Sequence, residues 1–118
     1  MPDDQPVLVL ISVDPRASHR ANEAMRIALG IVSGENEVTV VLTGPAVHLL
    51  DEDTDDLEDG DDVAKFRANL RAVGVPFHVA ADAMPREAGW NSDGHRVVPV
   101  TPAEIAALVR GSRRVLVF

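Results

Sequence analysis

The sequence predicts an α/β domain, a three-layer α/β/α arrangement around a mostly parallel five-stranded sheet. Three observations predict it. Short, continuous, β-rich apolar runs recur along the 118 residues, and such runs suit strands buried on both faces. Between them lie segments whose apolar residues repeat at helical spacing. Clusters rich in Gly, Pro, Asn, Asp and Ser separate the two kinds. Strands that alternate with helices imply parallel pairing, right-handed crossovers and helices on both sheet faces.

The elements follow in order. Val7-Leu-Val-Leu-Ile11 is the first strand, and "SVDPRASH" turns the chain. Ala21, Ala24, Met25, Ala28, Leu29 and Val32 make the apolar stripe of a first helix, with Ser18 as its expected N-cap and Ser33-Gly34 as its stop. "EVTVVLT", residues 37–43, is a second strand, broken by Gly44-Pro45. Val63, Phe66, Leu70 and Val73 form the next helical stripe, closed by Gly74. "VPFHVA", residues 75–80, is a third strand. "VVPV", residues 97–100, is a fourth, and its Pro99 cannot donate to a ladder, which predicts an edge or very short strand. In "TPAE" Thr101 caps, Pro102 takes the first helical position and Glu104 completes a capping box. Ile105, Leu108 and Val109 are expected to face inward, Gly111 ends the helix, and "RVLVF" is the last strand. In such a sheet ligands bind beyond the carboxyl ends of the strands, here residues 12–19, 43–62, 80–95 and 100–101.

Composition sets bounds. The length suits a single domain spanning residues 1–118. No apolar run is long enough to cross a membrane, and Asp3 and Asp4 stand where a secretory signal needs positive charge, so a soluble, cytoplasmic protein is expected. No basic patch is interleaved with aromatics, so nucleic acid is not an expected partner. There is no cysteine, which removes disulfides, thiolate metal sites and thiol nucleophiles together. The formal net charge is −8, yet nine carboxylates lie within residues 51–62, and without them the chain stands near +1.

That run, "DEDTDDLEDGDD", fails as a calcium loop. Counted from Asp51, the sixth position is Asp56 where Gly belongs and the twelfth is Asp62 where a bidentate Glu belongs. Counted from Asp55, Gly60 fits but Leu57 and Phe66 fall on ligand positions. The expectation is a mobile, solvated loop whose last residues sit favourably at the positive end of the second helix. The other readings are docking on a basic partner or a neighbouring subunit and, behind these, weak, nonselective cation binding.

Several segments, in order, resemble the DsrE/DsrF-like family, which includes the small subunits of TusBCD-type sulfur relays: "ANEAMRIALGI", "VVLTGPAVHLL", "ANLRAVGVPFHVAADA" and "VPVTPAEIAALVRGSRRVLVF". The resemblance spans roughly residues 7–118. It implies a compact DsrE-like α/β domain assembled into trimers or hexamers, or into mixed assemblies with related subunits. In active sulfur-transfer members a cysteine just past the third strand carries a persulfide. The matching position here is Ala80, which has no sulfur to carry. The resemblance thus implies a cysteine-less member, non-catalytic in sulfur transfer and needing no cofactor.

A second reading rests on the strand-end residues. Asp14, Arg16, His19, His78, Asp82 and Arg86 are candidates for a small-molecule site, with His78, Asp82 and His19 as a conceivable metal or general-base cluster. The alternative is that each histidine, His48 and His95 included, is simply hydrogen-bonded or partly exposed. Arg16, Arg20 and Arg86 with several helix N-termini would suit an anion or nucleotide, although "LTGPAV" lacks the features of a phosphate loop and the acidic run opposes anions. Ser12, Ser18 and Ser92 fit turn and cap roles, since none sits in a nucleophile elbow. Trp90 is expected to cover the ligand edge, anchor a subunit contact or plug a loop.

Overall fold

The computed structural model describes residues 5–118; Asp3 and Asp4 lie outside them. The chain runs β1 (Val7–Ile11), α1 (Arg20–Ser33), β2 (Val38–Leu42), a 3-10 helix (Gly44–Leu50), α2 (Gly60–Ala72), β3 (Phe77–Ala80), a 3-10 turn (Ala81–Ala83), β4 (Val97–Val100), α3 (Pro102–Arg110) and β5 (Arg114–Val117). The five strands form one sheet in the order β4-β3-β2-β1-β5, and every pair is parallel. Three successive connections therefore step the chain one way across the sheet, and the last carries it back past β1. Right-handed crossovers in opposite directions place their helices on opposite faces. This is the three-layer arrangement that the alternation of elements predicts.

The two faces are filled unequally. Val9, Ile11, Val40, Leu42, Phe77 and Val79 point to the α1/α2 side and join Ala24, Met25, Ala28, Val63 and Leu70 in the main core. On the other side α3, nine residues long, has to cover five strands and contains no fully buried residue. Ile105 and Leu108 are half-buried there, but Val109, expected inward, is exposed. It sits about a quarter-turn beyond Leu108, so it swings off the sheet-facing stripe. Val117 of the edge strand β5 is 60% exposed.

Local chemistry explains the boundaries. β4 is an edge strand, as Pro99 requires. Thr101 and Glu104 form the full capping box of α3: Thr101 Oγ1 accepts from the Glu104 amide at 3.2 Å and Glu104 Oε1 accepts from the Thr101 amide at 3.0 Å. Gly74, with φ +81°, reverses the chain after α2, and the Gly74 and Val75 amides turn back to the Arg71 and Leu70 carbonyls at 3.1 and 3.0 Å. Val73, on the expected stripe, is the C-cap residue and leaves the helical phase, so it is exposed. One terminal assignment shifts by one residue, while the stop at Ser33-Gly34 falls where expected. His19, not Ser18, is the N-cap of α1, while Ser18 Oγ accepts from the Arg20 amide at 3.1 Å. At the other end Gly34 has an ordinary φ and Glu35 takes the left-handed turn, φ +65°.

Candidate functional site

The loops after β2 and β3 meet at the carboxyl edge of the sheet. The 3-10 helix buries Ala46, Val47, Leu49 and Leu50 beneath that edge. The chain then turns through the acidic run, which is tied at three points. Asp51 pairs with Trp90 in an isolated antiparallel bridge. The Glu52 amide donates to the Gly89 carbonyl at 2.7 Å, and the Glu58 amide to the Pro15 carbonyl at 2.8 Å. Leu57, the run's single apolar side chain, is buried in the core. Asp59, in a left-handed conformation, is the N-cap of α2, and Asp61 and Asp62 occupy its first turn beside the helix's positive end.

Between these loops lies a cleft of about 580 Å³, a volume typical of small-molecule sites. Trp90, Val47 and Pro45 supply apolar wall, and Asp51, Glu52, Asp53, Asp56 and Glu87 supply five carboxylates. Trp90 donates its indole N–H to the Val47 carbonyl at 2.7 Å and packs against the core. It therefore plugs the loop and forms part of the cleft wall. His48 faces Asp51, with Nδ1 3.0 Å from Oδ2. Their i, i+3 spacing was visible in the sequence, but only folding brings Glu87 across from the third connection.

The six residues proposed from sequence do not form one cluster. Arg16 is spent on Asp14: Nε and one terminal nitrogen reach the two carboxylate oxygens at 3.0 and 2.9 Å. That hydrogen-bonded guanidinium holds the Asp14 carboxyl below its ordinary range, and the carboxylate raises the Arg16 pKa in turn. His19 lies on the acidic run, Nδ1 2.7 Å from Asp59 Oδ2 and Nε2 3.6 Å from Glu58 Oε2. The Asp59 bond, then the charges of Asp59 and Glu58, raise its pKa. Asp82 sits exposed in the 3-10 turn, and Arg86 is exposed in the following loop. His78 is on the far side of the sheet. It lines a shallow apolar groove under α3 with Val98, Val100 and Leu108, and burial lowers its pKa. Alternation along β3 decides this, since Phe77 and Val79 face α1/α2 and His78 must face α3. Ala80 is buried at the end of β3, and Ala83, three residues on, lines the cleft.

Of the side chains expected to favour an anion at this edge, Arg16 and His19 are paired with Asp14 and Asp59, Arg20 stacks over the Phe118 ring at 5.7 Å, and Arg86 is exposed. Among the described residues no three His, Asp or Glu side chains converge as a metal ligand set. None of their helices is long and apolar enough to cross a membrane.

The residue that sequence reading missed is Arg67. Its side chain is 5% exposed within α2. It donates to the carbonyls of Leu49 and Asp51 at 3.0 and 2.7 Å and to Asp93 Oδ2 at 2.9 Å. It thereby fastens the exit of the 3-10 helix and residues 91–95 to one helix. Its signal was positional: four residues after Val63 and three before Leu70, it stands on the apolar stripe.

A family profile described as DsrE/DsrF-like matches residues 5–118. The chain belongs to this family. Its fold is shared with the crystal structure of the YchN protein from E. coli, at TM-score 0.74 and 18% identity, covering 97% of this chain and 99% of that one. At that identity the likeness concerns the fold alone. No curated protein matches the chain. The chain contains no cysteine, and alanine stands at position 80.

Proposed function

We propose that this protein is a non-catalytic, oligomeric binding or scaffold subunit related to sulfur-relay proteins, with no persulfide transferase activity of its own. One observation carries the reading. A DsrE-like chain without any cysteine has no atom that can accept, hold and release sulfane sulfur, since that chemistry requires a nucleophilic sulfur. The subunit role is supported by the thinly covered α3 side of the sheet, where Val98, Val100, Ala107 and Leu108 line an apolar groove and Val117 at the edge is exposed. Apolar surface of this kind is commonly buried by association.

The test combines native mass spectrometry of the gently purified protein with exposure to a persulfide donor. A trimer, hexamer or mixed assembly with a cysteine-bearing subunit, and no sulfur adduct on this chain, is the expected result. A monomer, or a chain that acquires sulfur, overturns the proposal.

A second reading, a small-molecule binding protein, is favoured by the size of the carboxyl-edge cleft. Its five carboxylates select against free anions and nucleotides and for a cationic ligand or a basic segment of a partner. A small molecule retained in the same native spectrum, lost on neutralising Glu52 and Glu87, would establish it.

A further inference from the structure

At the opposite, amino-terminal edge of the sheet the electrostatics reverse. A pocket of about 200 Å³ opens where α2 ends and β4 begins, lined by Arg71, Gly74, Val75, Pro76, His95 and Arg96. No carboxylate lines it. We propose that this pocket binds a small oxyanion, of the size and charge of phosphate or sulfate, held by Arg71 and Arg96 against the imidazole of His95.

The His95 side chain is 4% exposed, yet neither ring nitrogen has a hydrogen-bond partner. Buried polar atoms are nearly always paired, and the neutral ring carries one N–H, so that donor asks for an acceptor the protein does not supply. The ring is fixed edge-on to Phe77, with centroids 5.8 Å apart. The nearest acid, Asp93, is 3.9 Å from Nε2, beyond hydrogen-bond reach, and already accepts from Arg67 at 2.9 Å.

Charge points the same way. Arg71 and Arg96 line the pocket with two positive charges, and Arg67 beside it is paired with Asp93. Arg71 gives one terminal nitrogen to the Asp93 backbone carbonyl, and a guanidinium carries five N–H donors, so others remain for a ligand. The carboxyl end of α2 opposes an anion with about half a charge, less than the excess of the guanidinia. Burial, and then the Arg67 charge, lower the His95 pKa; a bound anion would offset both. The volume lies below the roughly 300–1,000 Å³ of drug-sized sites and suits a compact anion. The pocket lies at the other end of the sheet from the cleft and is independent of the subunit reading.

The experiment is an NMR titration of the His95 ring signals in the full chain, adding sodium phosphate or sulfate at constant ionic strength made up with chloride. The expected result is a saturating shift whose affinity falls at least about tenfold in Arg96→Gln, the loss of one charge-assisted contact. Arg96 is exposed, so this variant keeps the fold, and Arg26→Gln on α1 should leave the affinity unchanged. No shift, a shift matched by chloride alone, or one undiminished in Arg96→Gln shows an adventitious ion only and overturns the proposal.

Discussion

Replacing Arg67 tests the account of how the carboxyl edge is held together. Arg67→Ala strips donors from two backbone carbonyls, on buried Leu49 and on Asp51. A buried group left unsatisfied costs about 1–3 kcal/mol. The Asp93 contact adds less, because that carboxylate is 49% exposed and water can replace the guanidinium. The lost aliphatic stem contributes about 0.8 kcal/mol per buried CH2. Together these place Arg67→Ala at about 3–5 kcal/mol, the range for removing one partner of a buried polar pair and a large share of a small domain's stability. Arg67→Met retains the stem and isolates the hydrogen bonds, with an expected loss of about 2–3 kcal/mol. Urea unfolding followed by circular dichroism gives both values. Trp90 fluorescence reports the edge itself, because Asp51, held by Arg67, is bridged to Trp90. The reasoning fails if Arg67→Met is neutral within about 0.5 kcal/mol, since the carbonyls would then not depend on the guanidinium.

Other perturbations have equally direct outcomes. A Cβ at Gly60 would fall inside van der Waals contact of the Thr54 backbone carbonyl, so Gly60→Ala should destabilise by about 1–3 kcal/mol in the same urea assay. Glu35→Gly should stabilise by about 0.5–1 kcal/mol, because φ is +65° there and the left-handed strain outweighs the added freedom of the unfolded chain. Burial lowers the folded-state pKa of His78 and His95 below 6.5. The unfolded chain then binds more protons at mildly acid pH, so their stability contribution is complete above about 6.5 and lost as pH falls through the folded values. Urea midpoints measured from about pH 5 to 8 should decline on the acid side, and His78→Gln with His95→Gln should flatten that limb. His19, raised by Asp59, acts in the opposite sense, its contribution fading as pH rises through the folded pKa; it is exposed and weakly weighted.

The sequence by itself determined the architecture, because strand runs, helical periodicity and capping are local. Pro99 at the edge, the Thr101–Glu104 box and Gly74 after α2 each act within a few residues of themselves. It also excluded thiol chemistry within this chain, since an absent residue type needs no fold to be absent. What it left open was the direction in which charges turn. Alternation along β3 could place His78 opposite Phe77, but not reveal that its side of the sheet would carry only one short helix. Arg67 stands on the apolar stripe of α2, but its partners, the Leu49 and Asp51 carbonyls, arrive from residues distant in the chain. Only the tertiary structure set His19 against Asp59, drew Glu87 to the acidic cleft, and gathered Arg71, Arg96 and His95 around one pocket at the other end. Coulombic and hydrogen-bond partners act over a few ångströms of space whatever their separation in sequence, and that spatial pairing is what decides each site.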